Sequence, residues 1–149
     1  MRLKDLITPL VVPARTLLLE EGQVADTLYN IRKGCLRLFF WNDGKDITFQ
    51  FFFEGDFVAS FDSMYRRQPS LFSLESIEPS ELLSVGRDDF YRLIEQSPWL
   101  RRRYEEKLID RFHSYQQLFL SRIRNTPQHY IASWLGITPV SLSRIRARR

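Results

Sequence analysis

Residues Cys35–Phe53 read CLRLFFWNDGKDITFQFFF. Two apolar runs, Cys35–Trp41 and Ile47–Phe53, flank an Asn42-Asp43-Gly44 turn. Asp-Gly supplies the positive φ angles of a tight primed turn, so the stretch predicts a β-hairpin. In LRLFF, Leu36, Leu38 and Phe40 alternate and share one face of a strand. The run Phe51-Phe52-Phe53 puts at least one ring outward, because strand neighbours point to opposite faces. That ring is a candidate contact for a long helix or a partner subunit.

Outward from this hairpin, Gly22, Gly34, Gly44, Gly55 and Gly86 cut the chain into short apolar pieces. Thr16–Glu20, Thr27–Arg32, Leu71–Ile77 and Leu82–Val85 are further strand candidates. Phe72 and Leu74 fall on one face of their segment, Leu71 and Ile77 on the other. Short strands with regular turn signals predict a β-sandwich or barrel. No helical pattern fits before Gly86. After it, Asp88–Glu95 reads as a short amphipathic helix, and Ser97-Pro98 as a cap with proline at the first helical position. Trp99–Arg124 contains no Gly or Pro. Its apolar residues Leu100, Tyr104, Leu108, Phe112, Tyr115, Phe119 and Ile123 recur at steps of three or four, one face of a continuous helix. A small β domain cannot cover so long a stripe. The expected cover is the same helix of a second copy, with Leu100, Tyr104, Leu108, Phe112, Tyr115 and Phe119 at the homodimer interface.

The tail predicts a helix-turn-helix. Gln128–Leu135 forms the first helix, Gly136 the turn, Ile137 a hydrophobic plug, and Thr138-Pro139 opens a final helix from Val140 to Arg149. Val140, Ser141, Arg144 and Arg148 fall on the outward face. Arginine reads guanine bidentately and valine meets a thymine methyl, while Arg146 and Arg149 are placed for phosphates. Charge agrees with this reading. Residues 1–98 hold 11 Lys/Arg against 15 Asp/Glu, a net of −4, and residues 99–149 hold 11 against 3, a net of +8. A basic end is the footprint of a double-stranded DNA partner. The organisation expected is an effector domain at 1–98, a dimerisation helix at 99–124 and a DNA-binding region at 125–149.

The order of elements resembles the Crp/Fnr superfamily of bacterial transcription regulators. EEGQVADTLYNIRKGCLRLFF (Glu20–Phe40) with FFEGDFV (Phe52–Val58) is similar to that family's cyclic-nucleotide-binding barrel, and ASWLGITPVSLSRIR (Ala132–Arg146) to its helix-turn-helix. The resemblance implies an α+β chain: an antiparallel β-barrel of jelly-roll (double-stranded β-helix) type, a long dimer helix and a C-terminal helix-turn-helix. It implies a small-molecule effector near Gly55, Asp56, Phe57, Ala59, Ser60 and Ser70, and RNA polymerase as a further partner. Two departures stand out. Nucleotide-binding members follow the Gly-Asp with Gly-Glu-Leu and later an Arg-Ser or Arg-Thr that grips the cyclic phosphate. Here Ala59, Ser60 and Phe61 follow, and Gln68–Ser73 holds no arginine. Arg66 and Arg67 read as solvated loop residues. A phosphodiester wants a cation, so the sequence argues against cyclic AMP. The other departure is the brevity of residues 125–149, which read as an incomplete DNA-binding head.

Catalysis is not expected. A metal oxygenase barrel needs converging His and carboxylate ligands, and the two histidines, His113 and His129, lie in predicted helices outside the strands. The single cysteine, Cys35, excludes an intramolecular disulfide and an iron–sulfur cluster. It reads as a buried small hydrophobe, with a redox-sensing thiol as the alternative. No metal or cofactor is expected. No apolar run approaches a bilayer span and no secretory signal opens the chain, so a cytoplasmic protein off the membrane is expected. The competing reading is a ligand- or partner-binding module that keeps the barrel without productive DNA binding.

Overall fold

The structure, a computed structural model, describes residues 3–125. A short helix α1 (Leu3–Leu6) leads into β1 (Ile7–Val12), β2 (Leu17–Leu19), β3 (Thr27–Lys33), β4 (Leu36–Asn42), β5 (Lys45–Phe52) and β6 (Phe57–Val58). Helix α2 (Phe61–Arg66), β7 (Ser73–Ser76), β8 (Ser80–Gly86), α3 (Arg87–Gln96) and α4 (Pro98–Asn125) follow. The chain divides into two units between Arg101 and Arg102.

The strands form two antiparallel four-stranded sheets, ordered β1-β8-β3-β6 and β2-β7-β4-β5. Between the described residues no ladder joins the sheets, so the unit is an open two-sheet jelly roll and not the closed barrel expected. The reason lies in the edges: β2 and β6 are three and two residues long, too short to carry pairing onward. Tyr29, Ile31, Leu82 and Val12 from one sheet and Leu36, Leu38, Phe52 and Leu74 from the other make one buried cluster with Val58. Burying each such side chain contributes roughly 1.5–3 kcal/mol.

The β4–β5 hairpin is as the sequence suggests. Asn42 pairs with Lys45, and Asp43 and Gly44 both have positive φ, +52° and +78°. Leu36, Leu38 and Phe52 turn inward, and Phe51 and Phe53 turn out. Phe39 breaks the pattern: it lies on the outer face yet is buried. The Arg37 guanidinium covers it, 4.0 Å from the ring centre. Arg37 also donates to Glu75, Thr48 and Asp46, so its charge is fully engaged. Burial works against that charge, but the hydrogen bonds it donates to Asp46 and Glu75 outweigh it and hold the guanidinium's pKa above its ordinary value.

Four elements were not legible as such, among them α1, a second helix before Gly86. β1 pairs only with β8 and so tolerates Pro9 at a sheet edge. β6 is a two-residue pairing with β3. Helix α2 overturns the expectation of no helix before Gly86. Arg66 sits in its last turn and Arg67 caps it in the left-handed conformation, so neither is a loop residue. The expected solvation holds for Arg66, which is exposed and paired with Asp62 at 2.8 Å.

Candidate functional site

The segment expected to hold an effector runs from Gly55 through α2 to Ser70. Gly55 has φ +90°. Its N–H donates to the Ile31 carbonyl at 2.8 Å, and the Ile31 N–H donates to the Asp56 carbonyl at 3.1 Å. The Asp56 carboxylate accepts from the Phe53 N–H at 2.9 Å. Gly55 and Asp56 therefore build the turn that lays β6 against β3, and Asp56 spends its charge on that turn. Phe57 is half-buried in the β3–β6 pairing, and Ala59 is buried.

Ser60 and Ser70 are brought together, both buried, with their hydroxyl oxygens 2.9 Å apart. Ser70 Oγ also donates to the Phe72 carbonyl at 2.7 Å and accepts from the Phe72 N–H at 3.3 Å. A hydroxyl has one proton, so with Phe72 taking that of Ser70, Ser60 supplies the proton of the pair. The Ser70 main chain is clamped as well: its carbonyl accepts from Gly22 and its N–H donates to the Gln23 carbonyl. Ser63, which sequence reasoning missed, accepts from the Ala25 N–H and donates to the Gln68 carbonyl. The loop after α2 is thus stitched to residues 22–25 by small hydroxyls. The signal for this was the serine spacing at 60, 63 and 70, which carries no distance information without the fold.

What this cassette can bind follows from its groups. Its only nearby cation in the helix, Arg66, is turned to Asp62 on the surface. The first turn of α2 carries Asp62, an acid where a bound anion would want none. A buried serine pair beside Ala59 and the half-buried Phe72 is neutral and partly apolar. It offers no charge to a phosphodiester.

The aromatic residues near it divide in two. Phe40, Phe49 and Phe72 form a chain of ring contacts, at 6.0 Å for Phe40–Phe49 and 5.3 Å for Phe49–Phe72. Phe72 packs against the core cluster. Trp41, Phe51 and Phe53 are exposed.

Residues 9–97 match the model of the cyclic nucleotide-binding domain, a span that starts within β1 and takes in β2 to β8, α2 and α3. The chain belongs to the cyclic nucleotide-binding domain family. Solved structures share the fold. Thermus thermophilus Catabolite Activator Protein superposes with a TM-score of 0.69 at 18% identity, over 97% of this chain and 78% of that one. The sensor domain of the transcriptional regulator DNR from Pseudomonas aeruginosa gives 0.60 at 17% identity, over 74% and 75%. The regulatory domain of Toxoplasma gondii PKA, solved with cAMP, gives 0.54 at 22% identity, over 62% of this chain and 37% of that one. No curated protein sequence matches the chain. Within this cyclic nucleotide-binding domain, then, the cassette keeps the family's fold while Gln68–Ser73 lacks a guanidinium.

The other expected sites fall as follows. Helix α4 runs from Pro98 to Asn125, and none of its side chains is buried. Leu100, Tyr104, Leu108 and Tyr115 are half-buried; Phe112 and Phe119 are exposed. Phe112, Tyr115 and Phe119 share an apolar groove with Gln116 and Leu120. Ile109 and Leu118, which the sequence reading left out, are exposed on the same helix. Val140, Ser141, Arg144, Arg146, Arg148 and Arg149, the expected DNA contacts, lie outside the described residues. Cys35 is buried in the β unit, and burial pushes its thiol pKa up. Among the described residues no helix is long and apolar enough to cross a membrane.

Proposed function

We propose that the chain is a transcription regulator of the Crp/Fnr type, a non-catalytic cytoplasmic homodimer whose cyclic nucleotide-binding domain senses an effector that is not a phosphodiester. The observation that carries the effector class is the buried Ser60–Ser70 pair beside a Gln68–Ser73 stretch without a guanidinium. The fold likeness to a catabolite activator protein over 97% of the chain supports the regulator layout. The net charge of +8 on residues 99–149 supports double-stranded DNA as the partner. In this reading α4 pairs with its copy through Leu100, Tyr104, Leu108, Phe112, Tyr115 and Phe119. Val140, Ser141, Arg144 and Arg148 face the bases, while Arg146 and Arg149 hold phosphates. Two recognition helices about 34 Å apart would meet successive major grooves of an inverted repeat. RNA polymerase is the downstream partner of such a regulator.

Fluorescence anisotropy of the full chain with promoter-derived and random duplexes across a salt series tests this. The expected result is preference for one duplex, a steep loss with salt and weakening by Arg144→Ala. Flat anisotropy for every duplex at low salt, from folded dimeric protein, would leave a ligand- or partner-binding module instead.

A further inference from the structure

A polar cavity lies between α2 and α3, outside the Ser60–Ser70 pair. Its volume is about 460 Å³, and Tyr65, Arg87, Tyr91, Ile94, Glu95 and Arg101 line it. Arg87, Tyr91, Ile94 and Glu95 stand at helical positions i, i+4, i+7 and i+8, so α3 presents them on one side. Tyr65 comes from the end of α2. A volume of this size accommodates a small organic molecule.

Two of these groups, Arg87 and Tyr91, are held in place but not used up. Arg87 is fixed by its Nε, which donates to the Met64 carbonyl at 2.6 Å, and by Nη1, which donates to Asp88 at 2.9 Å. Its guanidinium lies 5.0 Å from the centre of the Tyr91 ring. The Nη2 edge has no hydrogen bond among the described residues. The Tyr91 hydroxyl oxygen is buried and has no partner. Burial without a bond is costly, so such a group in a native fold calls for an explanation. Burial also pushes that hydroxyl above the ordinary phenol pKa, which keeps it protonated and able to donate. Tyr65 meets Tyr91 edge-on, with ring centres 6.4 Å apart, and is 72% exposed. An exposed ring set against a second ring is a ready wall for a flat guest.

We propose that this cavity binds a small aromatic carboxylate. The carboxylate lies on the Nη2 edge of Arg87 and accepts from the Tyr91 hydroxyl, and the ring lies against Tyr65. Guanidinium and carboxylate are matched planar groups, and a hydroxyl donor beside them adds direction.

Isothermal titration of the full chain with benzoate tests the site, with benzamide and inorganic phosphate as the other arms. Saturable benzoate binding is expected, with benzamide weaker by about tenfold or more and phosphate weaker still. Tyr91→Phe keeps the ring and the fold, and is expected to weaken benzoate several-fold. Glu95→Gln removes a like charge from the rim, and is expected to leave binding unchanged or tighter. No saturable binding of benzoate overturns the proposal. So does benzamide binding equally well, which removes the anion, or phosphate binding equally well, which removes the ring. Indifference to Tyr91→Phe, with its fold verified by circular dichroism, places benzoate elsewhere and also overturns it.

Discussion

The hydroxyl oxygens of Ser60 and Ser70 lie 2.9 Å apart, buried, across the two ends of the α2 cassette. The pair is an uncharged clasp, where the same fold elsewhere is solved with a cyclic nucleotide. Cyclic AMP is therefore expected to show no saturable heat of binding to the full chain. Ser70→Ala leaves the Ser60 hydroxyl and both polar groups of Phe72 short of a partner, and is expected to cost about 1–3 kcal/mol in urea unfolding. A cyclic AMP affinity in the micromolar range would remove the effector class proposed above.

Gly34 has φ +112°, and a Cβ there would sit 2.2 Å from Ser80 Oγ and 2.8 Å from Ser80 Cα. Ser80 cannot yield easily, since its hydroxyl accepts from Cys35 N–H and donates to the Glu78 carbonyl. Gly34→Ala thus adds a backbone clash to left-handed strain, and is expected to cost upwards of about 3 kcal/mol. Gly44→Ala is the control. It has φ +78° but open space around the new carbon, so strain alone should cost about 1 kcal/mol. Equal losses in the two variants, measured by thermal melts, would rule out the steric account.

Much of the fold was legible because its signals are local. The Asn42-Asp43-Gly44 turn and the alternation of Leu36 and Leu38 fix the hairpin without reference to anything distant. Helix α2 was not legible, since six residues (FDSMYR) are too few to display a helical period. Phe39 was not legible as buried, because its cover is the Arg37 side chain with the Trp41 ring edge and not a second sheet. The clasp was hidden for a related reason: Ser60 and Ser70 are ten residues apart, and only the return of the chain against residues 22–25 joins them. Likewise the polar cavity needs Tyr65 of α2 beside Tyr91 of α3, a pairing no spacing rule foretells.

Acid should act at Asp46 on the second sheet and at Glu54 in the turn after β5. Hydrogen bonding to Arg37 holds the Asp46 carboxyl below its ordinary pKa, and the Gly34 N–H does the same for Glu54. A carboxylate with a lowered folded pKa contributes stability that is complete above its unfolded value and is lost as pH falls through the folded one. Stability is therefore expected to be flat near neutrality and to decline below about pH 4.5. Arg37→Met removes the Asp46 share of that decline, while Glu54→Gln removes the other share. Denaturation midpoints from pH 7 to 3 check this, and an unchanged acid slope in both variants would contradict it.

Helix α4 carries its own prediction. It is 28 residues long, and none of its side chains is buried in the chain alone. Ile109 is 66% exposed, Phe112 62% and Leu118 60%. So much apolar surface on one helix calls for a cover in water, and in the proposed homodimer a second α4 would supply the matching stripe. Phe112 lies in the apolar groove with Tyr115 and Phe119, where an aromatic anchor in a homodimer would carry a large share of the binding energy. Phe112→Glu places a charge there and is expected to raise the dimer dissociation constant by about 30-fold or more, equivalent to at least ~2 kcal/mol. The β unit holds its own core, so the circular dichroism and melting of its strands should be unaffected beyond the loss of dimer. Sedimentation equilibrium over a concentration series measures the shift. A wild-type chain that stays monomeric, or a Phe112→Glu chain that stays as dimeric as the wild type, would remove α4 from the interface and with it the two-fold placement of the recognition helices.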